Sequence, residues 1–112
     1  MTLLEVSELH DQVCRAARAL RIRKGKDYSP GEDSISNLKA CNLLGICTAA
    51  DGVVLRMQDK LSRLAALANH AAGEVKEESV TDTVLDLINY SVLFLAVRDD
   101  AGYELDIPES EP

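Results

Sequence analysis

Residues 78–90 read ESVTDTVLDLINY. Val80, Val84, Leu87 and Ile88 recur at helical spacing, and Ser91 and Leu95 continue the same side. The acids also recur: Glu78, Asp82 and Asp86 stand four residues apart. At roughly 100° per residue these three and Asn89 share an arc of about 80°. Like charges at this spacing cost a helix a few tenths of a kcal/mol per pair. No Lys or Arg intervenes between Lys76 and Arg98 to relieve them. Two readings account for the row. A hard divalent cation, which takes carboxylate oxygens, would neutralise it. Alternatively, Ser79 and Asp82 form an N-terminal capping box and Glu77 and Glu78 favour the helix's positive end. The second reading leaves Asp86 and Asn89 unexplained.

The preceding helix carries the complementary charge. In VVLRMQDKLSRLAALA, residues 53–68, Arg56, Asp59, Lys60 and Arg63 form one stripe, and Met57, Leu61, Leu64 and Ala68 line the other side. A solvated face with internal ion pairs explains such a stripe by itself. Yet a short link makes this helix antiparallel to the next. A mainly cationic stripe then faces or flanks an anionic one, an arrangement suited to a metal-bound polyphosphate.

Working outward, the chain reads as four helices, over about 3–23, 34–46, 50–71 and 77–98, with no period-2 alternation. Thr2 and Glu5 fit a capping box, and Thr48 fits a cap for the third helix. Leu3, Val6, Leu9, Val13, Ala16, Ala17 and Leu20 form the first helix's apolar stripe. Arg15, Arg18, Arg21 and Arg23 read as its solvated face. KGKDYSPGEDS, residues 24–34, reads as a loop because of its glycines and proline. Its Lys24, Lys26, Asp27 and Tyr28 would clamp phosphate and stack on a base, although the glycine spacing matches no phosphate-binding fingerprint. Four helices with short links imply an antiparallel bundle.

Composition agrees. A chain of 112 residues supports one domain, and a core of Leu, Ala, Val and Ile without Trp suits packed helices. The net charge of −7 resides mostly in residues 99–112, which hold six acids and no base. Thirteen acids face twelve bases in the rest, so bulk attraction to DNA is not expected. The domain is expected over 1–98, with 99–112 a flexible acidic tail. Cys14, Cys41 and Cys47 lack zinc spacing and read as buried, reduced thiols, and His10 and His70 stand alone. The N-terminus does not read as a signal peptide, and no apolar run reaches the length of a membrane span. A cytoplasmic setting follows as the expectation.

Three segments taken together, KGKDYSPGEDSISNLKACNLLGI, VVLRMQDKLSRLAAL and ESVTDTVLDLINYSVL, resemble a known family over residues 20–98. This is the phage-associated family called nucleotide modification associated domain 1. That family is similar to the MazG-like and dimeric-dUTPase-like all-α nucleotide pyrophosphohydrolases. The resemblance implies a small four-helix MazG-like bundle completed by oligomerisation, a homodimer or a dimer of dimers. It implies Mg²⁺, or Mn²⁺, held by Glu78, Asp82 and Asp86, and hydrolysis of a nucleoside triphosphate to monophosphate and pyrophosphate. Asp59 would be a further ligand or a water-orienting base. Lys24, Asp27, Tyr28, Arg56, Lys60, Arg63 and Asn89 would hold the nucleotide. The setting would be the host cytoplasm, in phage nucleotide metabolism or DNA modification. One departure stands out: the best-known MazG relatives carry a Glu-x-x-Glu pair on the earlier helix, where this chain offers only Asp59. A non-catalytic nucleotide- or protein-binding module is the competing reading, and a structural oligomer whose tail recruits a partner is a third.

Overall fold

The computed structural model describes residues 1–28, 35–70 and 76–110, without the side chains of 26–28 and 36. It is all-α: α1 (Leu3–Tyr28), α2 (Ser36–Leu43), α3 (Ala49–Ala68) and α4 (Glu77–Asp100), with no strand among the described residues. α3 packs on α4, α1 on α4, and α2 on α3.

Local chemistry sets the helix ends. The Thr2 amide donates to Glu5 Oε2 at 3.0 Å and the Glu5 amide returns to Thr2 Oγ1 at 3.1 Å, the expected capping box. Thr48 caps α3 by accepting from the Asp51 amide at 3.0 Å. α4 starts differently from one of the two readings. Its cap is Lys76, with no side-chain cap bond, and the Ser79 amide donates to the Lys76 carbonyl at 3.0 Å. Ser79 and Asp82 therefore lie inside the helix, and the capping-box account of Asp82 falls.

α2 and α4 each end in a Schellman motif with glycine at the left-handed position, Gly45 (φ 73°) and Gly102 (φ 95°). In the first, Gly45 N–H reaches the Asn42 carbonyl at 3.0 Å and Ile46 N–H the Cys41 carbonyl at 2.9 Å. In the second, Tyr103 N–H reaches the Arg98 carbonyl at 3.0 Å, and the Arg98 guanidinium lies 4.2 Å from the centre of the Tyr103 ring. Lys39 of α2 pairs with Asp100 at 3.7 Å. The chain thus leaves α4 tied down at its first turn.

The loop expected from Lys24 begins later, because α1 runs on through Gly25 to Tyr28. Glycine inside a helix costs about 0.5–1 kcal/mol relative to alanine. Here Lys24 anchors the end of α1 to Asp86 of α4, which offsets that cost. The side chains of Asp27 and Tyr28 lie outside the described residues, as do residues 29–34 and the AAGE turn expected after α3.

The core sits where α2, the first half of α3 and the second half of α4 meet. Ile35, Leu38, Val53 and Val97 form it, flanked by Met57, Tyr90, Leu93 and Phe94. Two expected apolar stripes are buried only in part. On α1, Ala17 is buried and Val13 and Leu20 are half-buried, while Leu3, Val6, Leu9 and Ala16 are exposed. On α3, Leu61 and Ala68 are exposed. The reason is geometric: α1 meets α4 through its later turns, and among the described residues nothing covers the rest. On α4 the buried side chains among the described residues are Thr83, Leu85, Asn89 and Val97, whereas Ser91 and Leu95, on the side away from the acids, face solvent. α4 also has a mean hydropathy of 1.5 over its most apolar stretch, enough by length and composition to cross a membrane. The sequence reading expected no such segment. In the fold α4 supplies core residues and a half-buried ion pair.

Candidate functional site

α4's row of acids drifts across the helix. Each step of four residues advances about 40° past a full turn. Rotation alone does not set their burial, because Asn89 falls in angle between Glu78 and Asp82. Glu78 and Asp82, early in α4, are exposed, whereas Asp86 is half-buried and Asn89, further along, is buried. Among the described residues, neither Glu78 nor Asp82 has an ion-pair partner. Asp86 has two. Lys24 Nζ of α1 donates to its Oδ1 at 3.0 Å, and Lys60 Nζ of α3 lies 3.0 Å from its Oδ2. Partial burial pushes the Asp86 carboxyl up. The hydrogen bonds from Lys24 and Lys60, with their charges, outweigh that and hold it below the usual carboxylate range. The anionic and cationic stripes therefore meet, but through this single carboxylate.

Around Asp86 opens a pocket of about 480 Å³ at the convergence of all four helices. α1 supplies Arg21, Lys24 and Gly25, and α2 supplies Asn37 and Leu38. α3 supplies Arg56 and Lys60, and α4 supplies Asp86, Asn89, Tyr90 and Leu93. Four cationic side chains thus surround one carboxylate, with two amide side chains and an aromatic residue in the same wall.

The structure brings Lys24, Arg56, Lys60, Asp86 and Asn89 together out of the residues singled out in the sequence. It leaves the others apart. Arg63 and Asp82 are exposed and outside the pocket, as is Glu78 near the start of α4. Asp59 lines a second cavity of about 310 Å³, with Asn37, Leu38, Cys41, Cys47 and Arg56 among its walls. The sequence reading missed Arg21, assigned to a solvated face, and Asn37, Tyr90 and Leu93. Arg21 stands three residues before Lys24, one turn earlier on the same face, which was the available signal once α1 is known to continue.

The cysteines also differ from expectation. All three are free thiols, but Cys14 is exposed and Cys41 and Cys47 are half-buried.

A metal centre built from Glu78, Asp82 and Asp86 does not fit this chain. Glu78 and Asp86 are eight residues apart, about 12 Å along the axis. No group of three or more His, Cys, Asp or Glu side chains converges among the described residues. Asp86, the one carboxylate in the pocket among the described residues, is already neutralised by two ammonium groups.

No family model, no curated protein and no solved structure matches the chain.

Proposed function

We propose that the chain binds a phosphorylated small molecule, a nucleotide above all, in the pocket between its four helices. The observation that carries this reading is the set Arg21, Lys24, Arg56 and Lys60 around the single carboxylate of Asp86. Asp86 holds Lys24 and Lys60 in place from opposite sides. Preorganised in this way, two ammonium groups meet an entering phosphate with little further loss of side-chain entropy. Arg21 and Arg56 add forked donors that match phosphate oxygens. Asn37, Asn89 and Tyr90 supply the mixed polar and aromatic surface that a base or sugar uses.

The resemblance to nucleotide modification associated domain 1 supports a nucleotide as the ligand and adds Mg²⁺-dependent hydrolysis to monophosphate and pyrophosphate, in phage nucleotide metabolism. Among the described residues no group of carboxylates converges on a metal site, so binding is the function the geometry supports best. A MazG-like bundle with a second copy of the chain belongs to the same reading. Its support is the extent of uncovered apolar surface: Leu3, Leu4, Leu43, Leu44 and Ile46 are each at least 68% exposed. The radius of gyration of 16.2 Å exceeds the roughly 13 Å of a compact chain this long. A cytoplasmic location fits the reduced thiols and a nucleotide ligand.

The test is a thermal-shift and calorimetric panel of nucleoside mono-, di- and triphosphates and inorganic pyrophosphate, each with Mg²⁺ or with EDTA. Stabilisation that rises with phosphate count and survives EDTA is expected. No shift with any phosphorylated compound would sink the proposal. Asp86→Asn separates binding from metal-dependent turnover. If the cations alone hold the ligand, the change alters binding equally in Mg²⁺ and in EDTA. If a metal on Asp86 carries the phosphates, the same change weakens it in Mg²⁺, and pyrophosphate release disappears.

A further inference from the structure

The turn between α2 and α3 brings two sulfurs together. Its Schellman motif folds the chain back so that the Cys47 amide donates to the Cys41 carbonyl at 3.4 Å, beside the Ile46 bond to the same oxygen at 2.9 Å. Both sulfurs approach the same point beside α3. Cys41 Sγ also lies 3.6 Å from the Leu38 carbonyl and 3.5 Å from the Thr48 carbonyl. Gly52, in the first turn of α3, makes the space. A Cβ there would stand 3.1 Å from Cys41 Sγ and 3.7 Å from Cys47 Sγ. Both sulfurs line the cavity of about 310 Å³, which shares Asn37, Leu38 and Arg56 with the cationic pocket. Neither cysteine is fully buried.

We propose that Cys41 and Cys47 form a dithiol site for thiol–disulfide exchange, closing to an intramolecular disulfide when a small-molecule disulfide is in excess. With oxidised glutathione, one cysteine thiolate attacks a glutathione sulfur. The glutathione disulfide bond breaks, and one glutathione leaves as a thiolate that takes up the proton the cysteine lost. The second cysteine then attacks the protein-side sulfur of the mixed disulfide and releases the second glutathione. The protein loses two electrons and two protons, and one glutathione disulfide becomes two thiols. The turn favours the second step, because the resolving sulfur is held beside the first by backbone hydrogen bonds. Hydrogen bonding to Cys41, partial burial and the charges of Cys41 and Asp51 hold the Cys47 thiol above its usual range. Exchange through Cys47 therefore accelerates as the pH rises.

The full chain incubated at rising ratios of oxidised to reduced glutathione, alkylated and peptide-mapped, tests this. The expected product is lighter by two hydrogens, links Cys41 to Cys47 and leaves Cys14 open to alkylation or to its own glutathione adduct. Cys14→Ser keeps the product. Cys41→Ser and Cys47→Ser each abolish it and trap one glutathione on the remaining partner. The proposal fails if Cys41 and Cys47 stay alkylatable at ratios where Cys14 is modified. It also fails if the map finds only separate glutathione adducts or links between molecules. The wild-type map decides the matter even if a serine variant does not fold.

Discussion

Asp82 and Asp86 stand one turn apart on α4, yet Asp82 is exposed and without an ion pair among the described residues, while Asp86 is half-buried between Lys24 and Lys60. They differ by only about 40° in angle, and the buried Asn89 lies in angle between Glu78 and Asp82, so position along α4 separates them rather than rotation. The two carboxylates look equivalent in the sequence. They differ in the structure because α1 and α3 deliver their ammonium groups to one of them only.

Several substitutions break or sharpen this contrast. The largest effect is expected at Asp86→Ala, which leaves Lys24 and Lys60 facing each other and two more cations in the same pocket. A loss of about 2 kcal/mol is expected, read by urea denaturation. Next comes the pocket itself. Lys60→Ala should weaken binding of a nucleoside triphosphate about tenfold by calorimetry, equivalent to about 1.4 kcal/mol, whereas Arg63→Ala should leave it unchanged.

Acidity tests the same pair without mutation. The folded-state value of Asp86 is lowered, so its contribution to stability is fully present above the unfolded value of about 4 and is lost as pH falls through the folded value. Melts of wild type and Asp86→Asn should therefore differ at pH 7 and converge in acid. A gap that stayed constant down to pH 2 would show that the charge on Asp86 is not what matters. Lys24→Ala should cost less, about 0.5–1 kcal/mol, because that side chain is 44% exposed and screened by solvent. Smallest of all, Asp82→Ala should stabilise the metal-free protein by a few tenths of a kcal/mol, through relief of repulsion from Glu78 and Asp86. Added salt should erase that gain.

Much of the fold is legible in the sequence because it is written in local chemistry. Thr2 with Glu5, and Thr48 ahead of Asp51, mark helix starts that depend only on neighbours three residues away. Periodicity gives the count of four helices. Where the reading went astray, a distant contact decides. α1 continues past Gly25 with the help of an ion pair to a residue 62 positions away. Arg21 looks solvated until that continuation carries it to the pocket. The cysteines show the same limit: spacing excludes a zinc site, but only the Schellman turn at Gly45 and the space above Gly52 bring Cys41 to Cys47. Leu61 and the early residues of α1 have core-like periodicity without a core to enter, because periodicity reports what a helix face prefers rather than what lies opposite it.

The free first half of α1 has a kinetic consequence. Before Val13 its turns rest on backbone bonds, the Thr2–Glu5 box and the Ser7 hydroxyl bond to the Leu3 carbonyl, with no neighbouring helix among the described residues to lock them. Amide deuterium uptake there should follow the fraying of a lone peptide, on a far shorter clock than the amides of α4. A partner that docks on Leu3, Val6 and Leu9 would slow that clock turn by turn, so the leading end of the chain doubles as a built-in reporter of association.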